Sequence, residues 1–184
     1  MNGHRNHETI HGTTILGISR DGKAALGSDG QVSLGDMTLK HSANKVRRLG
    51  DGPVIVGFAG AVADSLTLLE RFEAQLAKYP GKFERAAVEL AKEWRTDRSL
   101  SRLEANLAMV DGHKALLVAG SGEVIEAEDG IVATGSGGAY ALSAARVLVR
   151  HTQLSIHDVV EESLRVAAEI CVYTNDHITI EVIE

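Results

Sequence analysis

The apolar residues of this chain change their spacing twice, and that alternation of period limits how its layers can be stacked. From residue 13 to residue 57 they fall into short β-branched and aliphatic runs. These predict strands over 13–20, 23–28, 32–40, 45–49 and 54–57, with Asp21-Gly22 and Asp29-Gly30 as tight hairpin turns and Asp51-Gly52-Pro53 between the last two. The period then becomes helical. Leu66, Leu69, Phe72 and Leu76 lie three or four apart, which predicts an amphipathic helix over 64–79 ended by Pro80-Gly81. A more charged helix over 83–103 carries EWRTDR. Four more strands follow at 106–110, 115–119, 124–127 and 131–134, then a helix over 139–150. Ser155 and Asp158 form a capping pair for a helix reaching about Tyr173, and residues 178–183 close as a strand. Blocks of antiparallel strands alternating with helix pairs predict an α+β fold, a four-layer αββα sandwich with two sheets face to face and helices outside.

At 184 residues and 44% hydrophobic, the chain suits one domain with a substantial core. A net charge of −6 argues against nucleic acid or an anionic membrane as the main partner, and Lys45, Arg47 and Arg48 read as local surface charge. One cysteine, Cys171, rules out an internal disulfide and suits the cytoplasm. No stretch approaches the roughly 20 apolar residues that span a bilayer, and residues 1–12 lack the apolar region of a secretory signal.

Those first twelve residues contain HETIH, so His7, Glu8 and His11 match the H-E-x-x-H zinc motif. The motif needs a helix several turns long, but six residues precede it, Gly12 follows it, and TTILGI beyond reads as strand. A catalytic zinc also needs a third ligand, and His41, His113, His151, His157 and His177 form no second cluster in sequence. No zinc is expected. HETIH reads as part of a polar leader, residues 1–12, removed from a single domain of residues 13–184.

A cut between Gly12 and Thr13 would expose different chemistry. Thr13 would then carry a free α-amine with a pKa of about 7.7–8.0, able to serve as general base for its own hydroxyl. Such a site needs the amine kept neutral, which a neighbouring lysine favours, and an oxyanion held by a backbone N–H at a tight glycine bend. The Gly-Ser-Gly-Gly run at 135–138 precedes a helix and could hint at anion binding. It lacks the Lys-Ser/Thr of a nucleotide loop, so nucleotide binding is rejected.

The segments TTILGI, GSDGQVSLG, NKVRRL, VGFAG, ELAKEWRTDR, LEA, TGSGG and ICVYTN occur in this order from residue 13 to about residue 179. Together they closely resemble the bacterial HslV (ClpQ) peptidase family, the proteasome-like subunits of an ATP-dependent protease, and WRTDR with KVRRL is diagnostic of that branch. The resemblance implies an N-terminal nucleophile hydrolase fold and a threonine endopeptidase. By position it implies Thr13 as nucleophile, Lys45 as the charge-tuning lysine and Asp29 as its partner. It also implies Gly57 as the oxyanion-hole backbone and Ser136 as a supporting hydrogen-bond partner. Unpaired carbonyls at a helix end, spaced like Ala168, Cys171 and Thr174, can face one ion. The resemblance implies a monovalent cation there, Na⁺, with Ala168 where glycine is expected. The implied partners are a second hexameric ring of the same chain and an HslU (ClpY) type AAA+ ATPase that delivers unfolded protein.

Two other readings stay open in the sequence. A stand-alone amidase of the same fold would act on a small amide as a monomer or dimer. An uncleaved ring subunit would be a scaffold, because Thr13 inside a peptide bond has no free amine.

Overall fold

Asp21 and Gly22 take φ of 53° and 81°, and this pair of left-handed residues folds β2 (Thr14–Arg20) back onto β3 (Lys23–Ser28). Arg20 and Lys23 close the hairpin as register partners. The computed structural model describes residues 10–11, 13–49, 53–60, 62–98, 100, 103 and 105–184, with backbone alone at 10–11 and 62–63. Before the hairpin lies β1 (Ile10–His11). After it come β4 (Val32–Leu34), β5 (Met37–Lys40), β6 (Val46–Leu49) and β7 (Val54–Gly60). Helices α1 (Val62–Lys78) and α2 (Phe83–Thr96) lead to β8 (Ala105–Val110), β9 (Ala115–Ala119), β10 (Val124–Glu126) and β11 (Ile131–Gly135). Helices α3 (Gly138–His151) and α4 (Ile156–Ile170) precede the last strand, β12 (Thr179–Ile183).

Two antiparallel sheets form the middle layers, in the orders β10-β9-β8-β7-β6 and β11-β2-β3-β12. Three apolar cores separate the four layers. Leu68, Phe72, Leu90 and Trp94 of α1 and α2 pack on Val56, Leu107 and Met109 of the first sheet. Ile15, Leu26, Ile55, Ala108 and Val132 fill the space between the sheets. Leu16, Ile18 and Ile131 meet Ala141, Ala145, Val160 and Leu164 of α3 and α4. Successive residues Ile15 and Leu16 thus serve opposite faces of one strand, as the two-residue repeat of a strand requires. This is the expected α+β sandwich, with helices over both outer faces.

A third, smaller sheet in the order β1-β4-β5 lies outside that expectation. Residues 32–40 are two strands, because Gly35 at φ 54° turns the chain between them. Asp29-Gly30 is no hairpin turn: β3 and β4 belong to different sheets, and the buried Asp29 sits at the crossing. The second helix stops at Thr96, where Asp97 is extended, and Leu100 beyond it still packs into the outer core. The fourth helix stops at Ile170 and Cys171 is extended, while Ser155 caps its start by accepting the Asp158 N–H at 3.1 Å.

On α1 the buried stripe is Ser65, Leu68, Leu69 and Phe72, with Leu66 pointing outward at 46% exposure. Phe72→Ala should therefore cost about 3–5 kcal/mol, whereas Leu66→Ala should stay within about 0.5 kcal/mol of the parent. Urea unfolding of both variants checks the assignment of the stripe.

Candidate active site

Asp29 follows β3 and leaves its sheet, so its carboxylate turns inward and needs partners. Its Oδ1 accepts the Thr14 N–H at 2.7 Å and the Lys45 ammonium at 2.8 Å. Its Oδ2 accepts the Gln31 N–H at 2.9 Å and, at 3.4 Å, the Asn175 N–H. The carboxylate is tied to the β2 start, the residue before β6 and the segment after α4. Both oxygens thus have donors, as a buried carboxylate requires.

Lys45 immediately precedes β6 and is buried with Asp29, their side chains being 4% and 0% exposed. Its Nζ also donates to the Gln31 carbonyl at 2.6 Å. Burial pulls the Lys45 ammonium below the ordinary lysine range, and the charge and hydrogen bond of Asp29 oppose that pull without cancelling it. The backbone around Lys45 is fixed as well, because its carbonyl accepts the Phe58 N–H at 3.2 Å from β7.

Thr13 and Thr14 are held differently. The Thr14 hydroxyl is fully buried, 2.7 Å from the Thr174 hydroxyl, and accepts the Gly137 N–H at 2.9 Å. It is committed to structure. Thr13 lies one residue nearer the amino terminus, and its carbonyl accepts the Ser136 N–H at 2.8 Å. A Cβ on Gly135, where φ is 90°, would run into the Thr13 carbonyl, and one on Gly137 would run into the Thr14 hydroxyl. The glycines at 135 and 137 thus let this loop close on the two threonines. Ser136 itself is exposed, and its described contact to Thr13 is through the backbone.

Gly57 lies inside β7, opposite Val46 and Ala108, three residues before the strand ends rather than at its end. A Cβ there would lie 2.6 Å from Ile15 Cγ2 and 2.8 Å from Leu26 Cδ2, so the sheets approach closely at this point. β2, which begins at Thr14, thereby lies across the sandwich from β7, and β7 is paired with β6 just beyond Lys45.

Ala168, Cys171 and Thr174 run from the last turn of α4 into the segment behind Thr14. Cys171 is a buried free thiol, and its carbonyl accepts the Thr174 N–H at 3.0 Å, leaving a second lone pair. Thr174 reaches the site by its side chain, which the expected backbone role did not include. Two further residues escaped the sequence. Gln31 supplies a carbonyl to Lys45 and donates its side-chain amide to Ser33 Oγ and the Val172 carbonyl, at 2.9 and 3.0 Å. Asn175 bonds around the Asp29 turn and is adjacent to Thr174 in ICVYTN, the signal that could have found it. His11 lies in strand β1, where H-E-x-x-H needs a helix. His7, Glu8 and Gly12 lie outside the described residues. His157 does meet Asp158 and Glu161 on α4, an exposed group remote in sequence from HETIH.

The profile of the proteasome subunit family matches residues 9–183. The chain is 60% identical over 178 residues to the ATP-dependent protease subunit HslV of Chlorobium luteolum, covering 97% of this chain and 98% of that one. It is 59% identical over 172 residues to the same subunit of Chlorobium phaeobacteroides, covering 94% of each. The crystal structure of eukaryotic HslV from Trypanosoma brucei matches with a TM-score of 0.88 at 44% identity, covering 93% of this chain and 99% of that one. The four-layer sandwich is accordingly the N-terminal nucleophile hydrolase fold.

Removing one member of a buried ion pair strands the other, at a cost of about 3–5 kcal/mol. Asp29→Ala should lower stability by that amount, and Asp29→Asn by less because its amide oxygen can still accept from Lys45. Urea midpoints of the two variants test this order.

Proposed function

The chain belongs to the proteasome subunit family and, within it, to the HslV peptidases, and from that premise we propose that it is a threonine endopeptidase. It is the proteolytic subunit of a cytoplasmic ATP-dependent protease. No helix among the described residues is long and apolar enough to cross a membrane. The observation that carries the assignment is the buried Lys45–Asp29 pair bonded to Thr14, the residue next to Thr13.

Hydrolysis of the Gly12–Thr13 bond removes the leader and leaves Thr13 with a free amine. The Thr13 hydroxyl attacks the substrate carbonyl while its own amine takes the proton. The Gly57 N–H is turned into the sheet toward Ala108, so the oxyanion falls to another backbone N–H beside Thr13, while Ser136 supports the nucleophile from the facing loop. As the C–N bond breaks, the proton passes to the leaving amine, and the acyl group remains as an ester on Thr13. Water then hydrolyses that ester and restores the threonine. The Lys45 ammonium disfavours a second positive charge nearby and so keeps the amine available as base. Thr14 does not compete as nucleophile, since its hydroxyl is already bonded on the inner side.

Ala168, Cys171 and Thr174 fit a monovalent cation, Na⁺, because they offer neutral backbone oxygens at the end of α4, where helix carbonyls lack helical donors. When bound, the ion would supply positive charge at the negative end of the helix. The subunits form two stacked hexameric rings, and an HslU-type AAA+ ATPase feeds them unfolded protein. A separate ATPase is required because the chain carries no nucleotide-binding Gly-Lys-Ser/Thr loop.

Thr13→Ala should abolish peptide hydrolysis without altering the melt, while Thr14→Ala should retain some activity. Active protein should have an intact mass beginning at Thr13. Activity in Thr13→Ala, or in protein that keeps residues 1–12, would overturn the mechanism. Small-peptide cleavage should be slow for the peptidase alone and much faster with a cognate ATPase bound, reflecting its preference for an active conformation. Equal rates in a confirmed complex would exclude activation.

A further inference from the structure

Asn175 bonds from outside to both segments that carry the Lys45–Asp29 pair. Its Oδ1 accepts the Gly30 N–H at 3.0 Å and the His177 N–H at 3.2 Å. Its Nδ2 donates to the His41 carbonyl at 2.9 Å, and its own N–H faces Asp29 Oδ2. Gly30 in turn runs so close to residues 41 and 42 that a Cβ there would strike the His41 carbonyl, and its own carbonyl accepts the Ala43 N–H at 2.9 Å.

The acceptors that hold the ammonium, Asp29 Oδ1 and the Gln31 carbonyl, flank Gly30. The ammonium itself is carried four residues beyond His41. One side-chain amide therefore fastens the acceptor turn to the donor segment. Resting on the threonine-peptidase reading, we infer that Asn175 is a positioning residue that sets where the Lys45 charge stands relative to the Thr13 amine. The contact to His41 is solvent-exposed and that to Gly30 partly buried, so water can replace the amide and the fold can survive its loss. The Gly30–Ala43 backbone bond joins the two segments at one point, and what water cannot supply is the second fixed point that the amide adds.

The test uses full-length, processed protein and a small peptide substrate. Asn175→Ala should lower kcat by about tenfold to a hundredfold, the scale of a small misplacement at a site, with KM little changed and the melt close to the parent. The acid limb of the pH–rate profile should move upward, because a displaced ammonium lets the amine hold its proton to higher pH. Lys45→Ala should move the limb further in the same direction, and adding Asn175→Ala to it should cause little further loss, since the amide acts through the lysine. Asn175→Ser, which keeps a shorter donor and acceptor, should fall between parent and Asn175→Ala, and it replaces the latter if that variant fails to assemble.

The charged and titratable groups around the turn are Asp29, Lys45, Asp176, His41 and His177. His41→Gln and His177→Gln should leave the limb in place. An unmoved limb in Asn175→Ala, full additivity with Lys45→Ala, or an equal shift in either histidine control would overturn the inference. Those outcomes would leave the peptidase reading intact as long as Thr13→Ala is inactive.

Discussion

One buried ion pair organises the structure around it. Taking a lysine and an aspartate out of water together is costly, and the pair persists only where the remaining donors and acceptors are satisfied. Here that requirement recruits Thr14 from β2, Gln31 from the crossing between sheets and Asn175 from beyond α4. Each partner comes from a different layer or connection. Satisfying the charges and closing the sandwich are therefore the same event.

The layers explain why the site lies where it does. The inner faces of the two sheets approach most closely where Gly57 meets Ile15 and Leu26, which brings β7 against the strand that begins beside Thr13. The loop at 135–138 closes from the far side, its glycines admitting the two threonines where any side chain would collide. The helices do not line this region with apolar bulk. They fix it from outside, α4 packing on β2 and β3 and the segment after it delivering Thr174 and Asn175.

Strands and helices were legible in the sequence wherever the apolar period was long and uninterrupted, as in 13–28 and 106–119. It misled where a local signal had a non-local cause. Asp29-Gly30 reads as a hairpin because Asp-Gly suits a turn, yet a lysine sixteen residues away and a threonine fifteen residues back determine its conformation. Ser65 belongs to the buried stripe of α1, but as a polar residue it is invisible to a count of apolar positions, so Leu66 took its place. Thr13, Asp29, Lys45, Gly57 and Ser136 were candidates from the order of short segments, and of these Asp29 and Lys45 are the two the structure pairs directly. Gln31 could not, because what it supplies to Lys45 is its own backbone carbonyl, which leaves no trace in residue type, whereas Asn175 was within reach as the last residue of ICVYTN.

The small sheet bears on what becomes of the leader. Ile10 and His11 pair with Leu34 and Ser33, so two residues of β1 lie along β4 just ahead of Thr13. While the chain is continuous, that pairing is intramolecular, and tethering gives it an effective concentration in the millimolar range or above. Once the proposed cut frees residues 1–12, the same contact becomes a bimolecular one, with two register partners among the described residues. A pairing that short is marginal even within a folded sheet. On that proposal, the bond whose hydrolysis creates the new amino terminus is also the one that tethers β1 to its partner strand.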